Sequence, residues 1–88
     1  PAATQRVDYA LESGSDALEM HHDAVGQSDR VLVVDDVLAT GGTAAAAAQL
    51  VGGMGGAVVG FSFLIELEFL KGRQRLQGRW VEALLRYT

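Results

Sequence analysis

The sequence predicts an α/β fold built on a central parallel sheet that is incomplete within these residues, preceded by an antiparallel hairpin. Three observations lead there. Val31-Leu32-Val33-Val34 is a continuous apolar and mostly β-branched run, the composition of a strand covered on both faces. Thr43 to Val51 is alanine-rich and of high helix propensity. Ala57 to Leu67 is a second apolar run without charge before Glu66, completing a strand, helix, strand unit.

The elements follow in chain order. Val7 to Glu12 and Ala17 to Val25 alternate in part and flank Ser13-Gly14-Ser15-Asp16, a cluster of turn formers, so they predict the hairpin. The strand at Val31 to Val34 is closed at once by Asp35 and Asp36. Gly41-Gly42 precedes the helix, and Gly52-Gly53-Met54-Gly55-Gly56 stops it. Phe69 to Gly78 predicts a turn or short helix in which the basic Lys71-Gly72-Arg73 reads as a solvated turn, with contact to a phosphate as the lesser alternative. Arg79 to Tyr87 is the last strand, with Trp80 and Tyr87 expected in the core or at a subunit interface.

Size and composition bound the rest. At 88 residues the chain is shorter than a doubly wound domain, which generally needs about 100 to 150. It reads as one domain or part of one, and its opening on Pro1 in place of Met implies that residues upstream are missing. Hydrophobic residues at 49% and charged ones at 20% describe a chain that buries a core. No apolar run approaches the roughly 20 residues of a membrane span, and no signal peptide opens the chain. A net charge of -4 disfavours nucleic acid, which demands surplus Lys and Arg. The absence of Cys removes disulfides and thiolate metal sites and suits a cytoplasmic protein.

The chemistry concentrates in Asp35-Asp36-Val37-Leu38-Ala39-Thr40-Gly41-Gly42-Thr43. A buried strand delivers two adjacent carboxylates to the carboxyl edge of the sheet, where open α/β folds bind ligands. The small-residue loop then feeds a helix N-terminus, where converging amides and the helix dipole can hold a phosphate, with Thr40 and Thr43 adding hydroxyls. Carboxylates accept hydrogen bonds from hydroxyls and repel bare phosphates, so the pair selects a ligand with vicinal hydroxyls at one end and a phosphate at the other. A ribose 5-phosphate satisfies both. Gly-Lys-Ser/Thr is missing, as is a Gly-x-Gly-x-x-Gly directly after the strand, so the ordinary mononucleotide and dinucleotide loops do not apply. His21 and His22, adjacent on a strand, point to opposite faces and make a poor metal pair.

Two acids followed by Val-Leu-Ala-Thr-Gly-Gly-Thr resemble the phosphoribosyl pyrophosphate motif of the type I phosphoribosyltransferases, and Leu38 to Thr43 is worded like the adenine-specific branch. Tyr9-Ala10-Leu11-Glu12 agrees with that branch. So do Leu18-Glu19-Met20-His21 with Asp23-Ala24, and Leu64-Ile65-Glu66-Leu67 with Leu70-Lys71-Gly72-Arg73. The resemblance covers nearly the whole chain and implies the C-terminal half of a single type I phosphoribosyltransferase domain, with 1–26 a mobile hairpin and 27–88 the core.

The resemblance implies transfer of a phosphoribosyl group from phosphoribosyl pyrophosphate to adenine, giving AMP and pyrophosphate in purine salvage. It places the ligand on Asp35, Asp36, Val37, Leu38, Ala39, Thr40, Gly41, Gly42 and Thr43, with the 5-phosphate in the loop and the two acids on the ribose. Glu12 becomes the catalytic acid of the closing hairpin, and Leu67 lies near the adenine. Mg²⁺ is the implied cofactor, bound through pyrophosphate and not directly by this chain. A homodimer of the full-length protein is implied too, with no nucleic acid or membrane partner. Ser13 stands where members commonly carry Tyr, and His22 where they carry Lys. The basic pyrophosphate loop belongs upstream, so this segment alone is expected to be inactive. A nucleotide-sensing regulator of the same fold, or a transferase for another purine, are the alternatives.

Overall fold

The computed structural model describes residues 4–11, 14–21 and 24–88 of the chain, with side chains for 6–8, 18–20 and 24–88. Strands β1 (Thr4–Leu11) and β2 (Gly14–His21) form an antiparallel hairpin, with Leu11 opposite Gly14 and Thr4 opposite His21. The expected turn at Ser13 to Asp16 is corrected, because Gly14, Ser15 and Asp16 pair with Leu11, Ala10 and Tyr9 inside the ladder. The second strand also ends earlier than expected, at His21, leaving Ala24 and Val25 in a bend. Partial alternation places hairpin strands, but their ends depend on cross-strand hydrogen bonds that a local pattern does not carry.

Strands β3 (Arg30–Leu38), β4 (Ala57–Leu67) and β5 (Trp80–Tyr87) make a parallel sheet in that order, and helix α1 (Gly42–Gly53) joins the first two. The parallel sheet and crossover helix are as the sequence predicts. One boundary differs: β3 does not stop at the two acids but continues through them to Leu38, with Asp35 paired to Phe63, Val37 to Ile65 and Leu38 to Glu66. A neighbouring strand on one side is enough to extend backbone pairing past residues of poor strand propensity.

The core lies between this sheet and α1. Leu38, Ala44, Ala48, Phe61, Phe63 and Leu76 form one buried cluster, with Val33, Val58, Val81 and Ala83 packed against it. Phe61 and Phe63 project to the same face as residues two apart on a strand, and their rings stack nearly parallel at 6.5 Å. Alanines serve α1 because it is enclosed on more than one side: besides β3 and β4 it runs beside β1 and β2. Ala46, Leu50 and Val51 are accordingly buried as well. Larger side chains at these positions would hold the backbones apart.

The end of α1 is set by its glycines. Gly55 N–H donates to the Gly52 carbonyl at 3.1 Å and Gly56 N–H to the Val51 carbonyl at 3.0 Å, the paired bonds of a Schellman motif. Gly55 takes a φ of 89°, where an L side chain is strained, and a Cβ there would come within 2.6 Å of the Gln27 side chain. Gly55→Ala is therefore expected to cost about 1 to 2 kcal/mol, read as a lower urea midpoint with an unchanged m-value.

Two 3-10 turns, Glu68–Leu70 and Gly72–Leu76, connect β4 to β5. Leu76 anchors the second of them in the core. Trp80 and Tyr87 are exposed and lie outside the core, which leaves the subunit-interface half of that expectation. Leu32, Val34, Leu64 and Leu84 are exposed too. No helix among the described residues is long and apolar enough to cross a membrane.

Candidate phosphosugar site

The cleft at the carboxyl edge of the sheet is lined by Asp35, the run from Val37 to Ala44, and Phe63. Parallel strands deliver their C-terminal ends to one edge, and α1 begins there, so the strand end and the helix N-terminus face the same space. The loop backbone turns sharply at Gly41, which has a φ of 85° and is buried together with Gly42. Gly41 is the N-cap of α1 and offers no side chain, and the first turn of the helix contains no acidic residue. Both features leave the positive end of the helix dipole without a compensating charge of its own, which favours an anion there.

The acids are held by their own backbone. Asp36 N–H donates to an Asp35 carboxylate oxygen at 2.8 Å, and Val37 N–H donates to an Asp36 carboxylate oxygen at 2.8 Å. Both side chains are exposed, so each keeps acceptor capacity for a ligand hydroxyl. The structure brings Asp35, Val37, Leu38, Ala39, Thr40, Gly41, Gly42 and Thr43 together around the cleft. Asp36 is adjacent but does not line it. Leu67 is half-buried at the carboxyl end of β4 opposite Tyr87, on the same edge of the sheet as the cleft but not among the residues that line it. Glu12 lies outside the described residues.

Behind the cleft stands a feature that the solvated-turn reading of Lys71-Gly72-Arg73 missed. Glu66 is a buried carboxylate with a side chain only 4% exposed. Arg73 grips it through two hydrogen bonds, Nη2 to Oε1 at 2.6 Å and Nε to Oε2 at 3.0 Å. Its Nη1 donates to the Val81 carbonyl at 3.0 Å, and Arg86 Nε adds a longer contact to Glu66 at 3.6 Å. The Arg73 hydrogen bonds hold the Glu66 carboxyl below its usual value, against the opposing effect of burial. One sequence signal hinted at this pair: Glu66 is the sole charge in the apolar run of β4, and an acid at such a position demands a cation.

The comparisons add a second line. No family model matches the chain. A protein of Solibacter usitatus named adenine phosphoribosyltransferase is 61% identical over 87 residues, which is 99% of this chain and 50% of that protein. Over nearly its whole length this chain is similar to proteins named adenine phosphoribosyltransferase. An adenine phosphoribosyltransferase of Gloeobacter violaceus is 59% identical, with 99% of this chain and 52% of that one aligned. The crystal structure of adenine phosphoribosyltransferase from Thermoanaerobacter pseudethanolicus superposes with a TM-score of 0.93 at 49% identity, over 99% of this chain and 51% of that one. The Saccharomyces cerevisiae adenine phosphoribosyltransferase, solved with an imino-altritol bisphosphate and adenine, gives 0.87 at 38% identity over 96% and 47%. The chain thus spans about half the length of the curated relatives it matches, corresponding to their C-terminal half. The chain carries the type I phosphoribosyltransferase fold that the motif implied.

Proposed function

We propose that the complete protein transfers a phosphoribosyl group from phosphoribosyl pyrophosphate to adenine, releasing pyrophosphate and forming AMP. The observation that carries this reading is the cleft itself, where Asp35 and the amide-lined turn from Ala39 to Thr43 meet at the N-terminus of α1. Such a site holds a hydroxylated sugar and its phosphate at once. The relative solved with a sugar bisphosphate analogue and adenine supports that ligand class.

In this mechanism the turn from Ala39 to Thr43 seats the 5-phosphate and fixes the sugar, so the anomeric carbon is presented to the purine nitrogen in one orientation. As the bond to pyrophosphate breaks, the sugar gains positive charge. The carboxylates of Asp35 and Asp36 stabilise that charge more than the neutral ground state, which lowers the barrier. Glu12 on the hairpin handles a proton on the purine, and hairpin closure excludes water as a competing nucleophile. Leu67 contributes apolar surface toward the base.

Among the described residues no cluster of three or more His, Asp or Glu side chains forms a metal cage. Mg²⁺ is assigned to the substrate phosphates, because it keeps much of its water and is bound by at most one or two carboxylates. When bound it neutralises charge on the leaving pyrophosphate. We place the enzyme in the cytoplasm, in purine salvage and as a homodimer.

The test is AMP formation by the complete protein with Mg²⁺ and phosphoribosyl pyrophosphate, with adenine, hypoxanthine and guanine in competition. Adenine is expected to dominate the product. Turnover of another base in its place would reassign the specificity, and tight nucleotide binding with no turnover would make the protein a sensor.

A further inference from the structure

We infer that Gly72 is a positioning residue for the phosphate loop, a wall that holds Ala39 to Gly41 in the shape that receives the 5-phosphate. The inference rests on the reading of that loop as the phosphate seat. Gly72 and Gly41 meet backbone to backbone. A Cβ on Gly41 would stand 2.5 Å from the Gly72 carbonyl oxygen. A Cβ on Gly72 would collide with the Ala39 carbonyl oxygen and stand 2.8 Å from the Gly41 nitrogen. Neither segment has room for a methyl group, and both contact partners are backbone that no rotamer change can move aside.

The wall is itself fixed from three directions. Lys71 precedes it in a left-handed conformation at a φ of 56°, which aims the chain back toward the loop. Leu76, at the other end of the same turn, is buried in the core. Arg73, the next residue, is tied to Glu66 on β4 and to the Val81 carbonyl on β5. Glu66 in turn pairs in register with Leu38, the last residue of β3 before the loop. The loop is thereby clamped between its own strand and a turn that comes much later in the chain, and its amides are set before ligand arrives. Binding a phosphate then costs little loop ordering.

The test compares the complete wild-type protein with Gly72→Ala. The methyl group displaces the loop, and the loss of one well-aimed hydrogen bond to a charged phosphate is expected to weaken ribose 5-phosphate by about 10-fold or more, read by calorimetry. KM for phosphoribosyl pyrophosphate should rise by a similar factor, while KM for adenine stays within about two-fold. Gly55→Ala, at the opposite end of α1 from the loop, serves as the structural control: it should lower Tm and leave both KM values in place. Unchanged ribose 5-phosphate affinity in folded Gly72→Ala overturns the inference. If that variant does not fold, Arg73→Lys decides, since it keeps a cation beside Glu66 but loses the fork that reaches β5: a selective rise in KM for phosphoribosyl pyrophosphate supports the wall, and an unchanged value overturns it. A wild-type protein that binds ribose 5-phosphate without making AMP would refute the transferase reading alone and leave the comparison of Gly72 variants standing.

Discussion

Replacing Asp35 and Asp36 together with asparagine is expected to lower kcat/KM for AMP formation by about 100- to 1,000-fold, the scale seen when one electrostatic partner of a transition state is removed. The substitution deletes charge and spares structure. An asparagine oxygen can still accept the Asp36 and Val37 amides that the carboxylates now accept at 2.8 Å, so the strand end keeps its conformation. Both positions are exposed, and stability should move by no more than about 0.5 kcal/mol. The single variants are expected to differ, because Asp35 lines the cleft and Asp36 stands beside it. Asp35→Asn should therefore account for the larger share of the loss. A double variant that keeps wild-type kcat/KM would remove the acids from the chemistry.

The Glu66 and Arg73 pair sets up the second large effect, this time on stability. Arg73→Met strands a carboxylate that is 4% exposed, leaving it, among the described residues, the 3.6 Å contact with Arg86, itself 54% exposed. Breaking a fully buried pair costs about 3 to 5 kcal/mol; with Arg73 half-exposed, about 2 to 3 kcal/mol is expected at neutral pH. The pH dependence follows from the sign of the shift. Glu66 is held below its ordinary value of 4.5, so the pair's contribution is complete above that value in the wild type. It is lost as acid takes pH below 4.5 and through the depressed folded value. In Arg73→Met the stranded carboxylate is relieved by protonation, so the two proteins should converge in stability as pH falls. Urea denaturation of both at neutral and acid pH checks this. A gap that stays constant across that range would show that the pair is solvent-screened and contributes packing alone.

How much of this was legible beforehand varied with the range of the interaction. The strands at 31–34 and 57–67 and the alanine helix announce themselves because a parallel sheet and the helix packed on it are written as runs of apolar or small residues, and those runs are local. Strand ends were less legible. Asp35 and Asp36 look like a terminus by propensity, yet pairing with β4 carries β3 to Leu38. Gly14, Ser15 and Asp16 look like a turn, yet the opposite strand takes them into its ladder. In both cases a neighbouring backbone outweighed intrinsic preference.

The sequence by itself determined the fold class, the family resemblance and the phosphate-loop motif, because each is written in contiguous residues: two acids, a small-residue loop and a helix that opens on glycine. Only the tertiary structure decided what stands behind that motif. Lys71-Gly72-Arg73 has the composition of a solvated turn, and nothing local distinguishes it from one. Sheet register brings Glu66 level with Leu38, the pair with Arg73 then draws the later turn inward, and Gly72 comes to rest against Gly41. Contacts between residues so far apart in the chain exist only after β3, β4 and β5 are aligned, so they belong to the fold and leave no periodic trace in the sequence.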